Sequence, residues 1–139
     1  MARTTTPGDG GRRAAAGFTL IELITVVALI AILAAIALPN YRVAIIQSRE
    51  AVLKENLYRM RDLIDQYYVD KGQYPPSIEA LVEEGYLRTL PEDPFTRAGD
   101  WTPVYAEPDA DRPAEPPGVY DVKSASALVS LAGTPYNEW

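Results

Sequence analysis

Cysteine and histidine are both absent from the 139 residues. Without cysteine there is no disulfide, no thiolate nucleophile and no thiolate metal site. Without histidine, serine–histidine triads, imidazole metal cages and imidazole proton relays are out of reach. No glycine-rich phosphate loop occurs among the nine glycines. Positive charge is in short supply: 13 basic residues face 19 acidic ones, a net charge of −6. Nucleic-acid binding needs a basic face, so no nucleic-acid partner is expected. An enzyme built from this chain could use only carboxylates, lysines or tyrosines, and no enzymatic activity is expected.

Charge is scarcest in one stretch. Phe18 to Leu38 is a run of 21 residues with a single ionisable side chain, Glu22. At 1.5 Å per residue this is about 31 Å of helix, the thickness of a bilayer core. A helix satisfies its own backbone groups and can therefore sit in lipid. A carboxylate inside it costs roughly 2.5–3.5 kcal/mol at the helix centre and less near the ends, which marks Glu22 as a functional group awaiting a partner. Residues 1–17 are polar and basic, with Arg3, Arg12 and Arg13 against Asp9. Positive charge beside a first apolar segment keeps that end cytoplasmic and delivers the remainder to the far side.

A secretory signal is the rival reading, because Ala35-Ile36-Ala37 has the form of a signal peptidase site. Against it stand an apolar run longer than the 7–15 residues of an ordinary signal core, Glu22 within that run, and helical periodicity that continues beyond the cut. Pro39 either ends the apolar helix or kinks one long helix, since proline removes a backbone bond and crowds the carbonyl four residues back, here Ala35.

From Tyr41 to Lys71 the pattern is that of an amphipathic helix. Leu53, Leu57, Met60, Ile64 and Tyr67 fall on one stripe, the core face. Glu50 with Lys54 and Arg61 with Asp65 stand at the spacing of helical ion pairs. Phe18 to Lys71 is then one helix of about 80 Å, with Gly72 as its C-terminal cap. A short helix follows, capped by Ser77, with Glu79 in its first turn and Gly85 at its end. Gly85 to Phe95, with two prolines and no periodicity, reads as an extended loop. Val104–Glu107 and Val119–Val122 read as strands. Between them, Pro108 to Pro117 is a long polar connection, whose Asp109, Asp111 and Glu115 lack the spacing of a calcium loop. Leu128 to Leu131 reads as a third strand or an apolar plug, and Trp139 as an anchor onto the core.

Gly17-Phe18-Thr19-Leu20-Ile21-Glu22-Leu23 resembles the prepilin signature shared by type IV pilins and type II secretion pseudopilins. Gln73-Tyr74-Pro75, Gly85-Tyr86-Leu87, Leu90-Pro91-Glu92-Asp93-Pro94-Phe95, Pro103-Val104-Tyr105 and Gly118-Val119-Tyr120-Asp121-Val122 with Ser124 resemble, in that order, the major pseudopilins of type II secretion. The resemblance implies an α+β pilin-like fold, a long N-terminal helix packed on a small antiparallel head. It implies a leader at 1–17, cleavage by prepilin peptidase between Gly17 and Phe18, and N-methylation of Phe18. It also implies a filament-core helix at 18–38, a helix kink at Pro39, and a periplasmic head at 39–139. The family often carries a glycine eight residues before the proline; Ala31 stands there in this chain, which implies weaker local melting. Without the leader's three arginines and one aspartate, 10 basic and 18 acidic residues remain, a net charge of −8. This suits a soluble, mutually repelling exterior.

The resemblance further implies a homo-oligomeric pseudopilus in which Glu22 directs assembly. Minor pseudopilins, an inner-membrane assembly platform with its ATPase, and an outer-membrane secretin are the implied partners. The implied location is the inner membrane, single-pass, with the N-terminus cytoplasmic. The alternatives are a type IV pilin for adhesion or motility, and a membrane-anchored periplasmic protein that never polymerises. In the family, the segment after the Tyr-Asp-x-x-Ser strand is rich in aspartate and glycine and holds calcium through carboxylates and backbone carbonyls, so the resemblance by itself implies calcium. Here that segment reads Ala125-Ser126-Ala127-Leu128-Val129-Ser130-Leu131-Ala132-Gly133, the aspartates are gone, and no metal or cofactor is expected.

Overall fold

A computed structural model describes residues 1–2, 17–108 and 116–139. Residues 3–16 of the expected leader, and Asp109, Asp111 and Glu115 of the polar connection, lie outside the described residues. The chain forms two compact units, Met1–Pro39 and Asn40–Trp139. Its elements are helix α1 (Leu20–Lys71), short helix α2 (Ala80–Glu83), strands β1 (Thr102–Tyr105) and β2 (Val119–Lys123), and a 3-10 turn at Tyr136–Glu138. The fold is α+β, one long helix with a small antiparallel sheet.

The helix begins two residues later than Phe18 because Thr19 caps it. The Thr19 hydroxyl accepts the Glu22 amide at 3.3 Å, and the Thr19 carbonyl accepts the Leu23 amide at 3.1 Å. This satisfies one of the amides that every helix start leaves without a partner. Pro39 lies inside α1, so the helix does not end there. At the far end Gly72, at φ +72°, donates its amide to the Tyr68 carbonyl at 2.8 Å. This left-handed terminus is one that glycine adopts freely.

In the Asn40–Trp139 unit, the buried residues of α1 are Leu53, Leu57, Met60, Ile64 and Tyr67, the stripe read from the periodicity. They join Ile78, Leu81, Trp101, Val119, Val122 and Tyr136 in one core. Helix α2 is shorter than expected, with Glu79 at its N-cap position. Ser77 Oγ accepts the Ala80 amide at 3.3 Å, and Gly85 turns the chain at φ +84°.

The sheet pairs Thr102 with Lys123, Pro103 with Val122, Val104 with Asp121 and Tyr105 with Val119. Tyr120 is the extra residue in that register, a β-bulge. Side chains on a regular strand alternate, so Val119 and Val122, three apart, should face opposite ways. The bulge resets the alternation and both are fully buried. Segment 128–131 forms neither a third strand nor an apolar plug. Val129 makes a single bridge to Pro135, while Leu128, Val129 and Leu131 are exposed. The segment is taken up by serine turns: the Ser126 hydroxyl accepts the Leu128 amide, and Ser130 and Thr134 bond one another. These leave too little backbone free for a ladder.

Gly118 joins β2 to the Tyr74–Pro75 turn. The Val119 amide donates to the Pro75 carbonyl at 2.8 Å. A Cβ on Gly118 would lie 2.5 Å from the Tyr74 Cβ and 2.6 Å from the Tyr74 carbonyl oxygen. The obstruction is backbone and cannot swing aside. Gly118→Ala is therefore expected to cost about 1–3 kcal/mol by overpacking, read as a lower denaturant midpoint with an unchanged slope.

Candidate functional site

The sequence motif and the structure meet at the start of α1. Gly17 and Phe18 precede the helix, Thr19 caps it, and Glu22 is the acid of its first turn. Glu22 lies about 3 Å along the axis from Leu20, at one end of the apolar run. The Thr25 hydroxyl one turn on donates to the Ile21 carbonyl at 2.8 Å, so its polar atom is absorbed by the backbone. Phe18 is 82% exposed, and Leu20 to Leu38 expose their apolar side chains all round. Every residue from Leu20 to Leu38 is exposed. The length and apolarity of this part of α1 are those of a helix able to cross a membrane. Apolar area on this scale, at about 25 cal/mol per Å² against water, requires lipid or other helices around it. Gly17, Phe18 and Glu22 thus come together within about one turn, and Pro39 lies 17 residues beyond Glu22 on the same helix.

The Asn40–Trp139 unit brings a second group of polar side chains together, on the α1 face that meets segment 124–139. Glu50 Oε1 accepts two bonds from that segment, from the Leu131 amide at 2.8 Å and the Tyr136 hydroxyl at 2.9 Å. One turn on, the Lys54 ammonium stands 4.8 Å from the centre of the Trp139 ring, a cation–π contact. Arg61 donates from Nε to Asp121 at 2.6 Å and from Nη2 to the Val122 and Trp139 carbonyls at 3.1 and 3.0 Å. The helical pairs Glu50–Lys54 and Arg61–Asp65 are therefore not what forms. An exposed i,i+4 pair is worth a few tenths of a kcal/mol, and these side chains reach tertiary partners instead. Tyr136 is 1% exposed and stacks on Phe95 at 3.9 Å, with Trp139 edge-on at 5.1 Å. Trp139 itself is only partly buried, so Tyr136 is the principal anchor and Trp139 its cover.

Burial, then the bond to Glu50, pushes the Tyr136 hydroxyl up to about 12 from 10.0. The raised value makes the stability it carries fully present below about pH 10 and lost as pH climbs through about 12. A shift of this size corresponds to roughly 2–3 kcal/mol. Unfolding free energies should fall by about this much as pH rises from 9 through 12, and Tyr136→Phe should flatten that part of the profile.

Sequence reasoning missed Asp93, which is fully buried. Its Oδ1 accepts the Phe95 and Thr96 amides at 2.8 and 3.3 Å, and its Oδ2 accepts the Ser124 hydroxyl. Its backbone closes the same loop, accepting from Arg97 and donating to Ala98. The signal available was Asp-Pro-Phe, since aspartate before such a turn bonds amides two residues on. Trp101, also buried, donates from Nε1 to the Pro91 carbonyl at 2.8 Å. At the other end of the head, the Tyr67 hydroxyl donates to Glu84 at 2.7 Å and Lys71 pairs with the same carboxylate at 2.7 Å. The bonds from Lys71 and Tyr67 hold the Glu84 carboxyl below its usual range.

Calcium, which the resemblance implies for segment 124–133, does not fit the donors found there. The side-chain oxygens are the hydroxyls of Ser124, Ser126 and Ser130, and each is engaged. Among the described residues no three carboxylates converge, whereas calcium takes six to eight oxygens, several of them anionic.

The prokaryotic N-terminal methylation motif matches residues 12–38. The type II secretion system core protein G of Pseudomonas aeruginosa is 34% identical over 100 residues, covering 60% of this chain and 70% of that protein. The chain belongs to the type II secretion core protein G family. The core protein G of Klebsiella michiganensis is 26% identical over 106 residues, covering 65% of this chain and 73% of that protein. The major component of the Thermus thermophilus type IV wide pilus is 38% identical over 77 residues, covering 55% of this chain and 59% of that protein. No solved structure matches the chain.

Proposed function

We propose that the chain is a structural subunit of a type II secretion pseudopilus, a homopolymer that grows from the inner membrane and drives folded protein outward. The observation that carries this is Glu22, the lone carboxylate on an apolar, membrane-length helix. Cleavage after Gly17 creates an amine on Phe18, and methylation leaves it cationic. That amine is four residues before its own Glu22 in the chain, and equally available to the Glu22 of a neighbouring copy. Two charges that are costly apart become tolerable together in an apolar core, which sets register and direction. The arginines before the apolar run favour a cytoplasmic N-terminus and a periplasmic head, in a single pass. Prepilin peptidase, minor pseudopilins, the assembly platform with its ATPase and the secretin are the partners such a subunit needs. Pro39 supplies the helix with a place to bend, and catalysis has no part in the role.

Mass spectrometry of the membrane-extracted protein tests the reading. The mature chain should begin at N-methylated Phe18; a chain beginning at Met1 or Leu38 rejects it. Gly17→Leu should abolish processing, leaving only the full-length species, because Leu cannot enter a site shaped for glycine. The pilus relative supports a second reading, a type IV pilin. Deletion separates the two: loss of protein secretion marks the pseudopilus, and loss of long surface fibres marks the pilus.

A further inference from the structure

The geometry points to a metal-free clasp: the carboxylate of Glu50 fastens segment 124–139 to α1 without a cation. Four observations carry it. First, the loop donors that would face a cation are saturated. Ser124 Oγ is bonded to Asp93 and accepts the Ser126 amide at 3.1 Å, and Ser130 Oγ is bonded to both the hydroxyl and the amide of Thr134, at 3.0 and 3.1 Å. Second, Leu128 and Val129, 59% and 60% exposed, offer no side-chain oxygen. Third, one backbone amide and one phenol converge on the same Glu50 Oε1. Charge-assisted bonds of this kind are roughly twice as strong as neutral ones. Fourth, the attachment continues along the same helix through Lys54 and Arg61, which hold the Trp139 ring and carbonyl. The serine hydroxyls, the Leu131 amide and the Tyr136 and Trp139 side chains are all held by protein groups, and these attachments close the segment without an ion.

The inference concerns the folded head and stands whether or not the chain polymerises. Its most direct readout is exchange of the Leu131 amide hydrogen in the full-length protein in detergent micelles. In the wild type the rate should be the same in excess calcium and in excess chelator. Glu50→Ala should raise it on the order of ten- to a hundredfold, the effect of losing one charge-assisted bond. Glu50→Gln, which keeps one acceptor oxygen, should fall between. Faster exchange on chelation, slower exchange on adding calcium, or an unchanged rate in Glu50→Ala would each overturn the inference. Should Glu50→Ala fail to fold, the glutamine variant and the chelator comparison decide it, because both leave the core intact. Calcium bound elsewhere on the chain would change the global melting temperature but not the Leu131 rate relative to its neighbours.

Discussion

Glu22→Val should leave the chain inserted in the membrane and remove its ability to polymerise. Valine takes away the one charge in the apolar run, so insertion becomes easier, by up to about 2.5–3.5 kcal/mol and less at this end position. What disappears is the only group in residues 18–38 able to receive a cationic amine from a neighbouring copy. If the pair contributes even about 1.4 kcal/mol to docking, each addition step weakens tenfold, and a polymer compounds that loss over its length. Crosslinks between cysteines introduced in the 18–38 region should drop by at least about tenfold, at wild-type levels of membrane-bound protein. Glu22→Gln should be almost as defective, since it preserves shape and hydrogen bonding but not charge. Crosslinking at the wild-type level in either variant removes charge pairing as the basis of assembly. Thr19→Val is the useful control. It breaks the helix cap, worth about 1 kcal/mol, without touching the charge, and should therefore impair assembly far less.

Asp93→Ala should produce the largest loss of head stability of any single change outside the apolar core, about 3–5 kcal/mol. The carboxylate is fully buried and receives two amides and the Ser124 hydroxyl. Truncation removes one acceptor group and leaves the buried Ser124 hydroxyl and two part-buried amides without partners, each costing about 1–3 kcal/mol less whatever relaxation recovers. For a domain of roughly this size, that is a fall in Tm on the order of 15–30 °C. Asp93→Asn should recover part of it, because the amide oxygen still accepts from the Phe95 and Thr96 amides. The amide nitrogen, however, must then face Ser124, which can respond by turning its hydroxyl into an acceptor. Thermal unfolding followed by Trp101 fluorescence reads the effect directly, since that ring packs into the same core. A loss below about 1 kcal/mol would mean that water replaces the missing oxygen, and that Asp93 is ordinary loop chemistry.

The contrast between these two residues shows what the chain discloses without its structure. Glu22 was legible because its surroundings are uniform: one carboxylate among apolar residues breaks a simple pattern. The stripe from Leu53 to Tyr67 was legible for the same kind of reason, since helical period and burial coincide. Asp93 was not, because its burial depends on Ser124, 31 residues away, and on a loop without period. Glu50 and Arg61 were misassigned to their helical neighbours, because local spacing is visible in sequence and tertiary competition is not. Leu128 and Val129 pointed to a strand on β-propensity, while the deciding groups were the adjacent serines.

One property of the clasp bears on how the protein is made. The bond between Glu50 and Tyr136 joins residues 86 positions apart, and the ring that fills the centre of the head belongs to the later of the two. A ribosome releases Glu50 long before Tyr136, so the head has no complete interior for most of its synthesis.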